Sequence, residues 1–235
     1  SGCSQWVNVD AAVSNDLFYF EHMPMRLYNL VVTGPDGAAV KPENASTGKY
    51  RSTFDVPLTQ PGTYRIAVVN QGLFASWKEN GQTKRWRGAA DALAANVPAN
   101  AQELQVTEMA SRVESYVTSG KPSKQALTTT GRGLELAPIT HPNDLAAGET
   151  ASFRLLLDGK PAANQTVSVV PGGVRYRDRL NEFDTTTDAD GKFSVKWPAA
   201  GMYWMEAELR DQKTSVKPAT ARRVTYAVTV EVLPQ

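Results

Sequence analysis

Two histidines are the only imidazoles in these 235 residues, so chemistry that needs one must use His22 or His141. His22 lies in the run Glu21-His22-Met23-Pro24-Met25, where carboxylate, imidazole and thioether are all metal-capable groups. Imidazole suits nickel, copper and zinc, while thioether favours copper(I). The competing reading is that Phe18, Tyr19, Phe20, Met23 and Met25 pack as a hydrophobic loop. His141 opens His141-Pro142-Asn143-Asp144. Pro142 biases His141 toward extended backbone, and Asn143 and Asp144 can close a turn with their own side chains. His141 and Asp144 could then face a ligand together, or the imidazole could serve only as a structural hydrogen-bonding group.

Other clusters carry weaker signals. In Arg175-Tyr176-Arg177-Asp178-Arg179, alternate residues would share one face of a strand. Arg175, Arg177 and Arg179 would then form an anion or carboxylate site, or a charged edge that resists aggregation. Asp184, Asp188 and Asp190 lack the spacing of a calcium loop and read as a hairpin turn. Trp77, Trp86 and Tyr50 accompany Lys78, Lys84, Arg85 and Arg87, a mixture that can bind sugars or single strands but reads more simply as interdomain packing. Neither histidine sits in a nucleophile motif. The chain has no Gly-x-Ser-x-Gly elbow, phosphate loop, dinucleotide fingerprint or His-Glu-x-x-His. The expectation is a binding protein, not an enzyme.

Composition narrows the partners. Lysine and arginine total 25 against 24 acidic residues, a net charge of +1. Phosphate-backbone binding needs a basic face, so no nucleic-acid partner is expected. No run approaches the ~18 apolar residues of a membrane helix. The single cysteine, Cys3, cannot form an internal disulfide. The start at Ser1 reads as a mature or trimmed secreted chain. Ser1-Gly2-Cys3 resembles the end of a bacterial lipobox, in which the cysteine would carry lipid, although a truncated leader is the plainer reading. A periplasmic or secreted protein is expected.

Strand signals must position these residues. Trp6 to Val13 alternates over its first half, Tyr50 to Val56 alternates again, and the apolar run Leu27 to Thr33 ends in the turn Gly34-Pro35-Asp36-Gly37. Ala151 to Leu157, Thr166 to Val170, Lys192 to Trp197, Met202 to Leu209 and Arg223 to Leu233 repeat the pattern. Gln60-Pro61-Gly62-Thr63-Tyr64 echoes Ala199-Ala200-Gly201-Met202-Tyr203, a glycine turn leading to a tyrosine at a sandwich corner. Short strands at regular spacing imply two tandem immunoglobulin-like β-sandwich domains. The first spans residues 1–133, with an insertion at about 74–118 whose alanine-rich stretch 89–95 reads as a short helix and whose stretch Ala101 to Val117 fits neither period well and reads as a strand pair or a short helix, and a linker at 119–133 rich in Ser, Thr, Lys and Gly. The second spans 134–235.

Thr140-His141-Pro142-Asn143-Asp144-Leu145, Gly148-Glu149 and Phe153 to Ala162 resemble the C-terminal core of a bacterial family of unknown function, often described as a periplasmic component of nickel or cobalt uptake systems. Thr187 to Phe193, Trp197-Pro198, Ala200 to Tyr203 and Val9 to Asp16 continue the similarity, which covers most of the chain and is strongest after residue 133. The second domain is also similar to transthyretin-like and carboxypeptidase-regulatory-like sandwiches. The resemblance implies export, a β-rich fold and an accessory role beside the membrane components of a metal transporter. Nickel or cobalt would then be held by His22 and His141, assisted by Glu21, Met23, Met25 and Asp144. Ligands of one ion lie within ~5 Å of each other, so the separation of the two histidines tests a shared site. The competing class is a structural or protein- or glycan-binding module of the cell envelope that ignores metals.

Overall fold

Ser52, Phe54, Val56 and Leu58 are buried while Thr53, Asp55 and Pro57 between them are partly exposed, the period of two that a half-buried strand requires. This alternation builds nearly the whole molecule. The computed structural model describes residues 5–235; the lipid-anchor expectation for Cys3 lies outside them. In chain order the strands are β1 (Gln5–Val13), β2 (Met23–Pro24), β3 (Leu30–Thr33), β4 (Ala39–Val40), β5 (Glu43–Thr47), β6 (Ser52–Leu58), β7 (Gly62–Glu79) and β8 (Gln82–Gly88). After the helical turn α1 (Leu93–Asn96) come β9 (Gln102–Ser119), β10 (Leu134–Pro138), β11 (Thr150–Leu157), β12 (Lys160–Pro161) and β13 (Thr166–Pro171). The chain finishes with β14 (Phe183–Thr186), β15 (Lys192–Lys196), β16 (Gly201–Asp211) and β17 (Ala221–Val232).

One nine-stranded sheet runs through both halves in the order β14-β13-β16-β17-β9-β7-β3-β4, with β8 also paired to β7. The halves join where β17 runs parallel to β9, from Ala221 opposite Thr107 to Thr229 opposite Ser115. Two four-stranded sheets flank it, β2-β1-β6-β5 and β10-β11-β12 with β15 on β11. Register shows which face each one covers. Tyr64 pairs with Val117 and Arg65 with Tyr116, so the two residues of each pair share a face and successive pairs point oppositely. Tyr64 and Ile66 pack with Phe54 and Val56 of β6, and Val117 lies against the same cluster. Tyr116 packs on the other face, with Val224, Tyr226 and Val228 of β17 and Leu134, Phe153 and Phe193 of the second small sheet. The small sheets therefore cover opposite faces of the central sheet, staggered along it. A third cluster, of Leu73, Ala75, Trp77, Val106 and Ala219, is capped by Leu93 and Val97 at the far end of β7 and β9.

The molecule is mostly β, with stacked sheets, as the strand pattern implies. The repeated glycine-tyrosine phrase is real at the corners. Tyr64 donates its hydroxyl to the Gln60 carbonyl and accepts from the Gln60 amide, both at 2.9 Å. Tyr203 does the same with Ala199, at 2.8 and 3.3 Å. Gly62 and Gly201 sit at φ of +131° and +135°, angles that glycine alone adopts readily.

The short helix expected within about 74–118 is present, at Leu93–Asn96 beside a helical turn at Ala90–Ala92, but most of that stretch is strand: β7 continues to Glu79 and β9 occupies Gln102–Ser119. The reason lies in β9. Val106, Arg112, Glu114 and Tyr116 are its buried residues, so the period is two, but the two charges among them hide it. Residues 119–133, expected as a linker, are packed against the sheet: Ala126 is fully buried in a helical turn, and the Ser123 amide donates to Thr63 Oγ1 at 3.0 Å.

Candidate functional site

The staggered cover leaves bare the face of β3 and β7 that bears Val31, Arg65, Ala67 and Val69. A groove of about 1070 Å³ opens there, between the edge of the second small sheet and Ser215. Small side chains, Ala67, Val69 and Ala110, make its floor. Its rim is polar. Asn29 donates to Asn70 at 3.0 Å, Gln71 and Arg132 are exposed, and Ser215 donates through amide and hydroxyl to Glu108, both at 2.6 Å.

Beneath this rim the charges are already matched. Arg222 grips Asp211 through two nitrogens at 2.9 and 2.7 Å and reaches Asp158 at 2.8 Å. Its guanidinium is pushed above its ordinary value, by Asp211 first and then Asp158. Arg112 donates to Glu114 at 3.0 Å and lies 3.5 Å from Glu135. The second oxygen of Glu114 accepts from both Tyr116 and Tyr226 at 2.9 Å. Burial, then the Glu114 charge, raises both phenols well above their usual range, so they remain donors. Glu135 accepts the amides of Thr130, Gly131 and Arg132 at 2.8, 2.7 and 3.2 Å. Arg65 donates to the Thr128 carbonyl at 3.0 Å and borders the groove. Such a wall offers fixed hydrogen-bonding groups and little net charge.

His141 and His22 are not brought together. The Asn143 amide donates to His141 Nδ1 at 3.1 Å, which leaves the proton on Nε2. From there it is donated toward the Ser123 carbonyl at 3.1 Å, with Thr63 Oγ1 at 3.0 Å. Both nitrogens are engaged, and the imidazole fastens the start of β7 to the segment before β10. Asp144 is exposed and its amide donates to the His141 carbonyl at 2.9 Å. This end of the sheet is also the Gln5 end of β1, because Ser119 donates to Gln5 at 2.9 Å and Gly62 and Thr63 pair with Ser119 and Thr118. His22 precedes Met23, which pairs with Val13 at the other end of β1. Eight strand residues at about 3.3 Å each separate the two ends by roughly 26 Å. The expectation of one ion shared by His22 and His141 is corrected on that ground. His22 and Met23 are exposed, Met25 packs against the β6 core, and Glu21 accepts the amides of Asn15 and Asp16 at 3.2 and 3.3 Å. Among the described residues no three His, Cys, Asp or Glu side chains come together as a metal-holding group.

The arginine row is also corrected. Val174–Tyr176 is a helical turn, not a strand, so the side chains do not align. Arg177 donates to the carbonyls of Pro171 and Leu180 at 2.7 and 2.9 Å, Arg175 lies over the Tyr19 ring at 4.6 Å, and Arg179 is exposed. Asp188 accepts the amides of Asp190 and Lys192 at 2.9 and 2.8 Å, as a hairpin turn should. Trp77 and Trp86 pack in the third core cluster, away from Tyr50. Sequence reasoning missed Arg65, Arg112, Glu114, Glu135 and Arg222. The available signal was two charges, Arg112 and Glu114, in phase with Val106 and Tyr116.

Sheets stacked on both faces of a shared central sheet define a β-sandwich type of protein with a groove where the cover stops. The chain belongs to the family described as Domain of unknown function (DUF4198), whose sequence profile matches residues 1–211. None of the curated proteins matches it. Among solved structures it is similar to the D0–D1 domain of intimin, at 15% identity over 97% of this chain and 90% of that one, with a TM-score of 0.24. That value leaves the two only loosely alike. No helix among the described residues is long and apolar enough to cross a membrane.

Proposed function

We propose that the chain is a non-enzymatic binding protein of the periplasm or cell surface, which takes a polar glycan or protein segment into the groove over β3 and β7. The observation that supports this reading is the open groove of about 1070 Å³ on the central sheet, rimmed by Asn70, Gln71, Arg65 and Arg132. Ligand pockets commonly combine an apolar floor with a few placed polar groups, and charges neutralised from within favour a ligand recognised by hydrogen bonds. The narrower reading is an accessory role in nickel or cobalt uptake beside membrane components of a transporter. Its support is the sequence resemblance together with the exposed pair Glu21 and His22.

Thermal melting of the full chain separates the two. A ligand of the native state raises Tm. An envelope glycan identified on a glycan array should raise it, and Val31→Trp, which fills the groove from a half-exposed floor position, should cancel the rise. A rise with nickel or cobalt chloride that His22→Ala abolishes would support the metal role instead. If neither glycans, envelope proteins nor metals bind, or if Val31→Trp leaves glycan binding intact, the groove reading fails.

A further inference from the structure

The opposite face of the central sheet carries a second groove, of about 710 Å³. It arises from the same stagger, where the first small sheet ends and leaves β13 and β16 bare. Val170 and Trp204, with Val113 of β9, make its floor, and the segment after β1 brings Phe18 and Tyr19 alongside. Trp204 Nε1 donates to Glu206 at 3.2 Å, so an indole and a carboxylate are held side by side. Glu208 is neutralised by Arg210 and Arg223, whereas Glu206 and Glu182 enter no ion pair among the described residues. Among the described residues no lysine or arginine lines this groove, and the buried Ser14 hydroxyl within it has no partner there.

We propose that this groove binds a small organic cation, an alkylammonium or guanidinium head, against the Trp204 indole and the Glu206 and Glu182 carboxylates. Aromatic faces attract such cations electrostatically, and the attraction grows when water is excluded. The aromatic segment already shows the preference: Arg175 sits over Tyr19 at 4.6 Å and Arg51 over Phe20 at 5.4 Å, neither of them lining the groove. The volume lies within the range of roughly 300–1,000 Å³ typical of small-molecule pockets. The site stands on the face opposite the polar groove, so its failure would leave the first reading untouched, and the reverse.

Calorimetric titration of the full chain with choline, with agmatine, and with the neutral carbon isostere of choline tests the proposal. At least one cation should bind, and the isostere at least about tenfold more weakly than choline where choline binds. Trp204→Leu and Glu206→Gln, both at sites at least partly open to solvent, should each weaken the bound cation by about tenfold. Val31→Trp, in the other groove, should leave it unchanged. Failure of both cations to bind, equal affinity for choline and its isostere, or cation binding indifferent to both Trp204→Leu and Glu206→Gln overturns it.

Discussion

Arg222 is 9% exposed and keeps its charge because Asp211 and Asp158 meet its guanidinium on two sides. The same contact acts on the acid. The hydrogen bonds from Arg222, and then the Lys213 amide, hold the Asp211 carboxyl below the usual carboxylate range against the opposing effect of burial. A carboxyl whose folded pKa is depressed contributes stability that is full above its unfolded value of about 3.9 and is lost as pH falls through the folded one. Glu208, held low by Arg223, contributes with the same sign. The urea midpoint should therefore fall steeply below about pH 4, and Asp211→Asn should flatten that slope. Asp36→Asn should change it less, because the Asp36 carboxyl is lowered by neutral donors, the Ala38 amide and Gln60, at an exposed turn. Equal acid slopes in wild type and Asp211→Asn would show that this clamp does not couple to folding.

At the scale of elements, β9 connects everything and was the least legible strand. Its neighbours are β7 on one side and β17 on the other, and its positions 112, 114 and 116 are buried whatever their chemistry, on the face that carries Tyr116 into the second half's core. Arg112 and Glu114 can occupy them because Tyr116, Tyr226 and Glu135 satisfy their donors and acceptors. Buried charge is tolerated when paired and hydrogen-bonded. Breaking such a cluster by removing one partner typically costs about 3–5 kcal/mol, because the other charge stays buried. Glu114→Ala should lower stability by about that amount in urea unfolding. Glu114→Gln should cost less, since its amide oxygen still accepts from a phenol, and Arg112→Met with Glu114→Leu should cost less than the two single changes added. A cost of Glu114→Ala below about 1 kcal/mol would show that water replaces the lost partner. Where apolar residues carried most of the period, as Phe54, Val56 and Leu58 do in β6, the alternation could be read directly. The tyrosine corners were legible because glycine and tyrosine act locally. The grooves were not, because a strand sequence reports which face is buried but not which sheet covers it or where that cover stops.

The whole molecule follows from a repeat whose copies are turned over. In the first half Tyr64 faces the β6 core, and in the second Tyr203 faces the β11 core, on the other side of the same sheet. Each small sheet protects one face of its own half, and the bare face of each half becomes a groove. The repeat thus yields two dissimilar surfaces, one rimmed by amides and guanidinium groups and one lined by aromatic rings and carboxylates. It also ties the halves together. Nine residue pairs join β17 to β9, and Tyr116 of the first half is buried in the core of the second. Separating the halves would expose a long unpaired ladder in β17 beside its apolar residues Val224, Val228 and Val230, which isolated edges do not tolerate well. Calorimetric melting should accordingly give one transition, with van't Hoff and calorimetric enthalpies equal. Amides of β7, β9, β16 and β17 should exchange with solvent only through that global opening. Two resolved transitions, or β16 amides exchanging at a lower free energy than those of β7, would show that the shared sheet does not couple the halves.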